Sequence, residues 1–392
     1  MIHKKQRIII LLIASLVFFF LFNYVNIGVP RVFNSPDANA HYAFIQEFAS
    51  NGGLRIEHRV DYGELAEFVH PRSTFADFGN YILPVGFWGI IVLYGLVAKI
   101  IGVAQIVFIT PALAIAAIWS LYFLWRKIFN EQMAFYASLL TFLHPAVWYY
   151  SARSLLPNVP FLSLLIIGCA ILVVRPFGKK DAASGVASKV VFVNDFVGAF
   201  IMLLGFLIRP NEFVWLFPVV CILLLFYRKK ITVGQWGVWF ALVACFAVCY
   251  VFFNQALYQT ATGGYVVSRS LPASSLLAYI LPFGFDVGQV LQSGYHYFVR
   301  LHWWLVLPAT AGLVRMWFLW RSKKCSRGML AYTAAFLVGA MVLFVYYGSM
   351  RDISFSLHTI GVAYSRYWLP VHVVSIPFII MALEFIRIPQ KI

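Results

Sequence analysis

The sequence predicts an all-α polytopic integral membrane protein, one transmembrane domain over residues 1–392, with about ten transmembrane helices and one re-entrant or interfacial segment. Three observations carry this. Hydrophobic residues make up 62% of the chain and charged residues 11%. The apolar residues come in repeated runs of about 18 to 22, the length a bilayer requires. Between the runs lie small clusters of lysine and arginine, which account for the net charge of +16. Spread in this way, they are topology signals and not one nucleic-acid-binding face, so nucleic acid is not expected as a partner.

The basic clusters fix the path of the chain. Lys4, Lys5 and Arg7, then Arg126 and Lys127, residues 175–189, Arg228 to Lys230, residues 321–327 and residues 387–391 are expected on the cytoplasmic side. Residues 8–29 then run outward. With Met1 to Arg7 before them and Ala38-Asn39-Ala40 after, they resemble a signal peptide, but the apolar run is too long for one and reads as an uncleaved anchor. Residues 30–80 form the first outer loop. Of the runs 81–101 and 103–125, parity allows one net crossing; the first, with Pro84, Gly86, Gly89, Gly95 and Lys99, is expected to be the one that does not cross. Runs 133–150, 159–174, 191–208, 213–227 and 233–253 alternate across the membrane and lead to a second outer segment, 254–300. Runs 301–320, 329–347 and 367–386 complete the path, with both termini cytoplasmic and a cleft facing outward from the plasma (inner) membrane.

The first outer loop opens on residues 34–53, which read as a short polar helix. Ser35 can cap it, Pro36 suits its first position, and Gly52-Gly53 ends it. Tyr42, Ile45, Phe48 and Ala49 form an apolar stripe, while Asp37 and His41 lie one turn apart on another face. Such a helix lies in the membrane interface. Asp37 falls in the first turn, where free N–H groups and the helix dipole favour a carboxylate. It is expected to be ionised, although in an arbitrary helix such an acid more often only stabilises the helix.

Charges are sorted by side. The outer side carries Arg31, Arg55, Arg59, Arg72, Arg153, Arg209, Arg269, Arg300, Arg351 and Arg366, and no lysine apart from the ambiguous Lys99. Guanidinium matches phosphate oxygens and is less costly to desolvate than ammonium. Pairing with outer acids accounts for most of these arginines; two or three are enough for a phosphate. Half of the 14 acids (Asp37, Glu47, Glu57, Asp61, Glu64, Glu67 and Asp77) sit in the first outer loop. Asp195, Glu212 and Glu384 lie near span ends and none lies at mid-span, which argues against an ion-coupled transporter.

Other classes lack their motifs. No Gly-x-Ser-x-Gly elbow and no Walker or Rossmann glycine pattern occurs, so a serine hydrolase or a soluble nucleotide donor has no site. The five cysteines show no disulfide or metal pattern. Outer histidines (His41, His58, His70, His144, His296, His302 and His358) show no ligand-pair spacing, so no cofactor or metal site is indicated, with a divalent cation left open. Trp148 to Tyr150, Trp303-Trp304 and Tyr364 to Trp368 read mostly as belt aromatics, one or two of them available to stack on a sugar.

Together these residues resemble the GT-C superfamily of polyprenyl-phosphate-sugar-dependent glycosyltransferases, in particular the bacterial relatives of protein O-mannosyltransferases and of the lipid A aminoarabinose transferase. Their loop motif is close to Asp-Glu-x-x-His/Tyr; here it stands as Asp37-Ala38-Asn39-Ala40-His41-Tyr42, without the second acid. The resemblance implies Asp37 as catalytic base, with His41 orienting it or bonding the phosphate. His70-Pro71-Arg72 resembles an element associated with lipid-phosphate binding. Tyr150-Ser151-Ala152-Arg153, followed by Leu156-Pro157-Asn158, resembles Tyr-Ser-Arg with Leu-x-Asp/Glu, but has Asn158 where an acid is common. Ser365-Arg366-Tyr367-Trp368-Leu369-Pro370 resembles the Arg-Tyr-x-Leu-Pro that begins a late span. The implied activity is hexosyl or mannosyl transfer from a polyprenyl-phosphate sugar to a glycan, lipid or protein acceptor, among membrane lipids. His70, Arg72, Arg153 and Arg366 are the expected phosphate ligands. A transporter or flippase for a lipid-linked or anionic solute is the alternative, and Ala38 and Asn158 keep open an inactive relative acting in envelope-glycan assembly.

Overall fold

The computed structural model describes residues 3–24, 33, 35–57, 70–77, 81–153, 155–176, 186–260, 281, 283–351, 353–354, 359–360 and 362–386. Among them, the apolar runs become helices in the expected order. They are α1 (Lys4–Asn23), α3 (Trp88–Ile101), α4 (Ile109–Ile128), α5 (Glu131–Leu143), α6 (Pro145–Ala152), α7 (Asn158–Val174), α8 (Val186–Ile208), α9 (Phe213–Tyr227) and α10 (Val233–Tyr258). After α11 (Val287–Gly294) come a π-helical segment (Tyr295–Leu301), α12 (Trp303–Arg321), α13 (Arg327–Gly348), α14 (Val362–Tyr367) and α15 (Leu369–Ile386). The polar helix of the first loop is α2 (Pro36–Asn51). Val103–Ile128, Pro210–Tyr227, Val233–Tyr258 and Arg327–Gly348 are each long and apolar enough to cross a bilayer, as a multi-pass membrane protein requires.

Helix α3 has 14 residues. At a rise of about 1.5 Å per residue it is shorter than a hydrocarbon core of about 30 Å, as is the 17-residue α7. Helix α3 begins late because Tyr81–Pro84, the start of that apolar run, is a strand. This is β3, the centre of a three-stranded antiparallel sheet in the order β1 (Ile56–Glu57), β3, β2 (Thr74–Asp77). Ile56 pairs with Ile82, and Phe75 with Leu83.

Run 133–150, expected as one span, is instead broken between α5 and α6. Pro145 disfavours helical backbone at His144, which is extended at φ −70° and ψ 120°. His144 then caps α6, its Nδ1 accepting from the Ala146 N–H at 3.2 Å.

The helices approach closely at glycines, as small residues allow inside membranes. A Cβ at Gly168 of α7 would lie 2.6 Å from the Gly198 carbonyl oxygen of α8. One at Gly312 of α12 would meet the Phe378 carbonyl of α15 at 1.8 Å, and one at Gly89 of α3 the Leu207 carbonyl of α8 at 2.0 Å. Helix α2 packs against α3, with Ala38, His41, Tyr42, Phe44 and Ile45 all buried. Its apolar stripe is therefore wider than Tyr42, Ile45, Phe48 and Ala49, and it faces protein.

Candidate functional site

Helix α2 starts with Ser35 extended at the N-cap and Pro36 as its first residue; Gly52 ends it at φ 76°. The Ser35 side chain makes no capping hydrogen bond. Asp37, in the first turn, is held from two other parts of the chain. Ser73 Oγ donates to its Oδ1 at 2.6 Å. Arg366 Nη2, on α14, lies 3.7 Å from its Oδ2. Ser73 comes from the turn before β2, at φ 68°, and the Val85 N–H donates to its carbonyl at 3.3 Å, so the sheet fixes it.

The Asp37 side chain is 43% exposed and that of Arg366 16%, so the carboxylate is the accessible end of the pair. Burial raises the Asp37 pKa, but the Ser73 hydrogen bond and the charges of Arg366, His41 and Arg72 together outweigh it and hold the carboxyl below its usual range. Burial pushes the His41 imidazole down, more than its bond to Leu155 and the Asp37 charge raise it, and the Arg366 charge adds to the lowering. Of the groups that hold the Asp37 carboxyl down, the Ser73 hydrogen bond contributes most and the Arg366 charge next.

His41 interacts with Asp37 through charge and makes its hydrogen bond to the backbone. Its Nδ1 donates to the Leu155 carbonyl at 2.8 Å, and a Cβ at Gly86 would lie 2.7 Å from its Nε2. It docks α2 between the loop after α6 and the turn before α3.

Arg366 lies 5.1 Å from the Tyr367 ring and donates from Nη2 to the Tyr367 hydroxyl at 3.2 Å, while its Nε is buried without a partner. Asn158, at the position where an acid is common, is 6% exposed and donates to the Arg366 carbonyl at 3.5 Å. Its Oδ1 is also buried and unpartnered. Asn158 therefore belongs to this site by geometry.

The other expected phosphate ligands are less closely placed. Arg72 is exposed and acts on Asp37 through its charge. His70, two residues away, donates from Nδ1 to the Pro71 carbonyl at 3.1 Å. Arg153 ends α6 with its guanidinium 4.6 Å from the Tyr149 ring. Arg55, Arg300 and Arg351 are exposed. Arg31, Arg59, Arg269, Asp61, Glu64, Glu67, His58 and His358 lie outside the described residues.

Sequence reasoning missed three features. Ser73 carries no charge or motif and meets Asp37 only through the sheet. Arg209 appears in the sequence as one outer arginine among several, yet it is buried in an ion pair with Glu212, Nη2 to Oε1 2.6 Å. The signal available was a base and an acid three residues apart at a span end. His372 lies inside an apolar run and gathers with His144 and His302, at ring-centroid distances of 5.4 and 4.7 Å. Because His144 Nδ1 accepts the Ala146 N–H, its Nε2 carries the proton in the neutral ring and is not free to ligate a metal. Among the described residues no group of three or more His, Cys, Asp or Glu is arranged to hold a metal ion. The contacts described for the Asp37 carboxylate come from a hydroxyl and a guanidinium.

This arrangement, an acid on a first-loop helix facing an arginine ahead of a late helix, sits in a fold shared with polytopic membrane glycosyltransferases of the GT-C type. ArnT from Cupriavidus metallidurans bound to undecaprenyl phosphate superposes with TM-score 0.52 at 13% identity, over 100% of this chain and 61% of that one. Archaeal oligosaccharyltransferase AglB from Archaeoglobus fulgidus, in complex with an inhibitory peptide and a dolichol-phosphate, gives 0.55 at 12%, over 98% and 50%. The Archaeoglobus fulgidus oligosaccharyltransferase in complex with zinc and sulfate gives 0.52 at 13%, over 96% and 49%. The chain thus spans about half to three fifths of these neighbours. At such identities the likeness is one of fold. No protein-family model matches the sequence, and neither does any curated protein.

Proposed function

We propose that the chain is a glycosyltransferase that moves one sugar from a polyprenyl-phosphate carrier to an acceptor at the outer face of the plasma membrane. The observation that carries this reading is the accessible, ionised Asp37 held beside Arg366, in a fold whose solved examples include complexes with undecaprenyl phosphate and dolichol-phosphate. Asp37 takes the proton of the acceptor hydroxyl as the oxygen attacks the anomeric carbon. The bond to phosphate breaks with its electron pair on the leaving oxygen, and Arg366 stabilises that charge, assisted by Arg72, His70 and Arg153. A phosphate arriving at Arg366 offsets the charge that keeps the Asp37 pKa low. Donor binding therefore makes the base stronger when the acceptor needs it. No step here is routed through a metal.

The test is transfer by purified protein in lipid, given a panel of labelled polyprenyl-phosphate sugars and an envelope extract, with Asp37→Asn as comparison. Label moving into a product only with wild type supports the reading; no transfer from any donor by folded wild type overturns it. Asn158 and Ala38 favour one second reading, a relative that binds lipid phosphate without transferring. In the same assay it would show as binding without product.

A further inference from the structure

We infer that Arg209 is a positioning residue that holds both walls of the Asp37 site, the turn beneath His41 and the segment that carries Arg366. The inference rests on the reading of that site given above.

Arg209 follows α8 and is 4% exposed; Glu212 is 3% exposed. Its Nε donates to Glu212 Oε1 at 2.7 Å, and its Nη2 donates to the Tyr347 hydroxyl at 3.1 Å. That hydroxyl donates to Glu212 Oε1 at 2.7 Å, and Trp215 Nε1 donates to Oε2. Both carboxylate oxygens thus have donors, as a buried charge requires.

The guanidinium also touches two rings, its carbon 5.0 Å from the Tyr367 centroid and 5.4 Å from that of Phe87. Tyr367 stacks on Tyr347, centroids 4.4 Å apart at 19°, and carries the Arg366 guanidinium. Phe87 follows Gly86, against which His41 rests. The contacts therefore close a circuit from Asp37 through Arg366, Tyr367, Arg209, Phe87 and Gly86 to His41, back on α2.

Stability alone does not account for this pair, because apolar residues of similar volume often replace a buried ion pair without loss. What they lack is a planar cation that bonds to a carboxylate at its edge while presenting flat faces to aromatic rings.

Arg209→Ala leaves Glu212 buried and unpaired and is expected to misfold. The test therefore uses Arg209→Lys and Tyr347→Phe. The first keeps the charge but loses the planar fork; the second keeps the ring against Tyr367 and loses both hydroxyl bonds. The readout is the titration of the Asp37 carboxyl in protein reconstituted in bilayers, followed by isotope-edited infrared spectroscopy, with Asp37→Asn as blank and Arg366→Ala as the reference for full loss of the cation. In both variants Asp37 is expected to protonate at higher pH than in wild type, toward the Arg366→Ala value. Affinity for undecaprenyl phosphate should fall by on the order of tenfold, the scale of coupling within one network. A titration identical to wild type in both variants, with Arg366→Ala shifted, overturns the inference. This readout needs no turnover, so its failure is distinct from a failure of the transferase reading, which shows as absent label transfer.

Discussion

Arg366 Nη2 stands 3.7 Å from Asp37 Oδ2 and so joins the first loop to the segment that precedes α15. With this much exposure such a pair stabilises by about 1 kcal/mol or less. Its weight lies in the charge it imposes on Asp37, and the consequences can be measured there.

Ser73→Gly removes the hydroxyl that donates to Asp37 and also relieves the positive φ of 68°. The hydrogen bond lowers the Asp37 pKa, so its loss raises it. The acidic limb of kcat/KM should move to higher pH, while the rate on the plateau changes little. A pH profile of transfer checks this.

The arginines should separate. Arg366→Ala is expected to weaken donor binding most, Arg72→Ala less, and Arg153→Ala least, because Arg153 stacks on Tyr149 while Arg366 pairs with Asp37 directly. Loss of a charged hydrogen-bond partner costs about 1.5–3 kcal/mol, so KM for the donor should rise by roughly ten- to a hundredfold in Arg366→Ala. Donor titrations of the three variants test the order.

His41→Phe should reduce stability. It strips the buried Leu155 carbonyl of its donor, a loss of about 1–3 kcal/mol. Burial keeps the folded-state pKa of His41 below its ordinary 6.5. As pH falls through 6.5 the unfolded chain takes up the proton first, so wild type loses stability there; above 6.5 this group adds no pH dependence. Thermal unfolding across that range should show the slope in wild type and a shallower one in the variant.

Gly312→Ala places a methyl group 1.8 Å from the Phe378 carbonyl oxygen, which is backbone and cannot swing aside. Overpacking of this kind costs about 1–3 kcal/mol or more. A lower unfolding temperature and a smaller folded fraction after extraction should follow, and both are read by size-exclusion chromatography and thermal shift.

The helical frame was legible because a bilayer imposes one length on every span, and Asp37 was legible because Ser35-Pro36 marks where a helix begins. Arg366 was reached through a short motif. Ser73 was not, since its partner is 36 residues away and only strand pairing brings the two together. Strands of two to four residues are too short to show alternation. The break at His144-Pro145 was hidden because two stacked helices present the same apolar length as one. His41 was read as a neighbour of Asp37 from spacing, but its hydrogen bond to the Leu155 carbonyl, 114 residues away, left no mark in the sequence.

Asp37 lies on α2 and its cation on α14, near opposite ends of this chain. Synthesis delivers the N-terminal part first. A nascent chain therefore carries its acid through the insertion of every intervening helix before the matching guanidinium arrives, and one halted before Val362 never receives it. The Asp37–Arg366 pair is thus completed only when α14 is in place, which makes it a late event in the assembly of the fold.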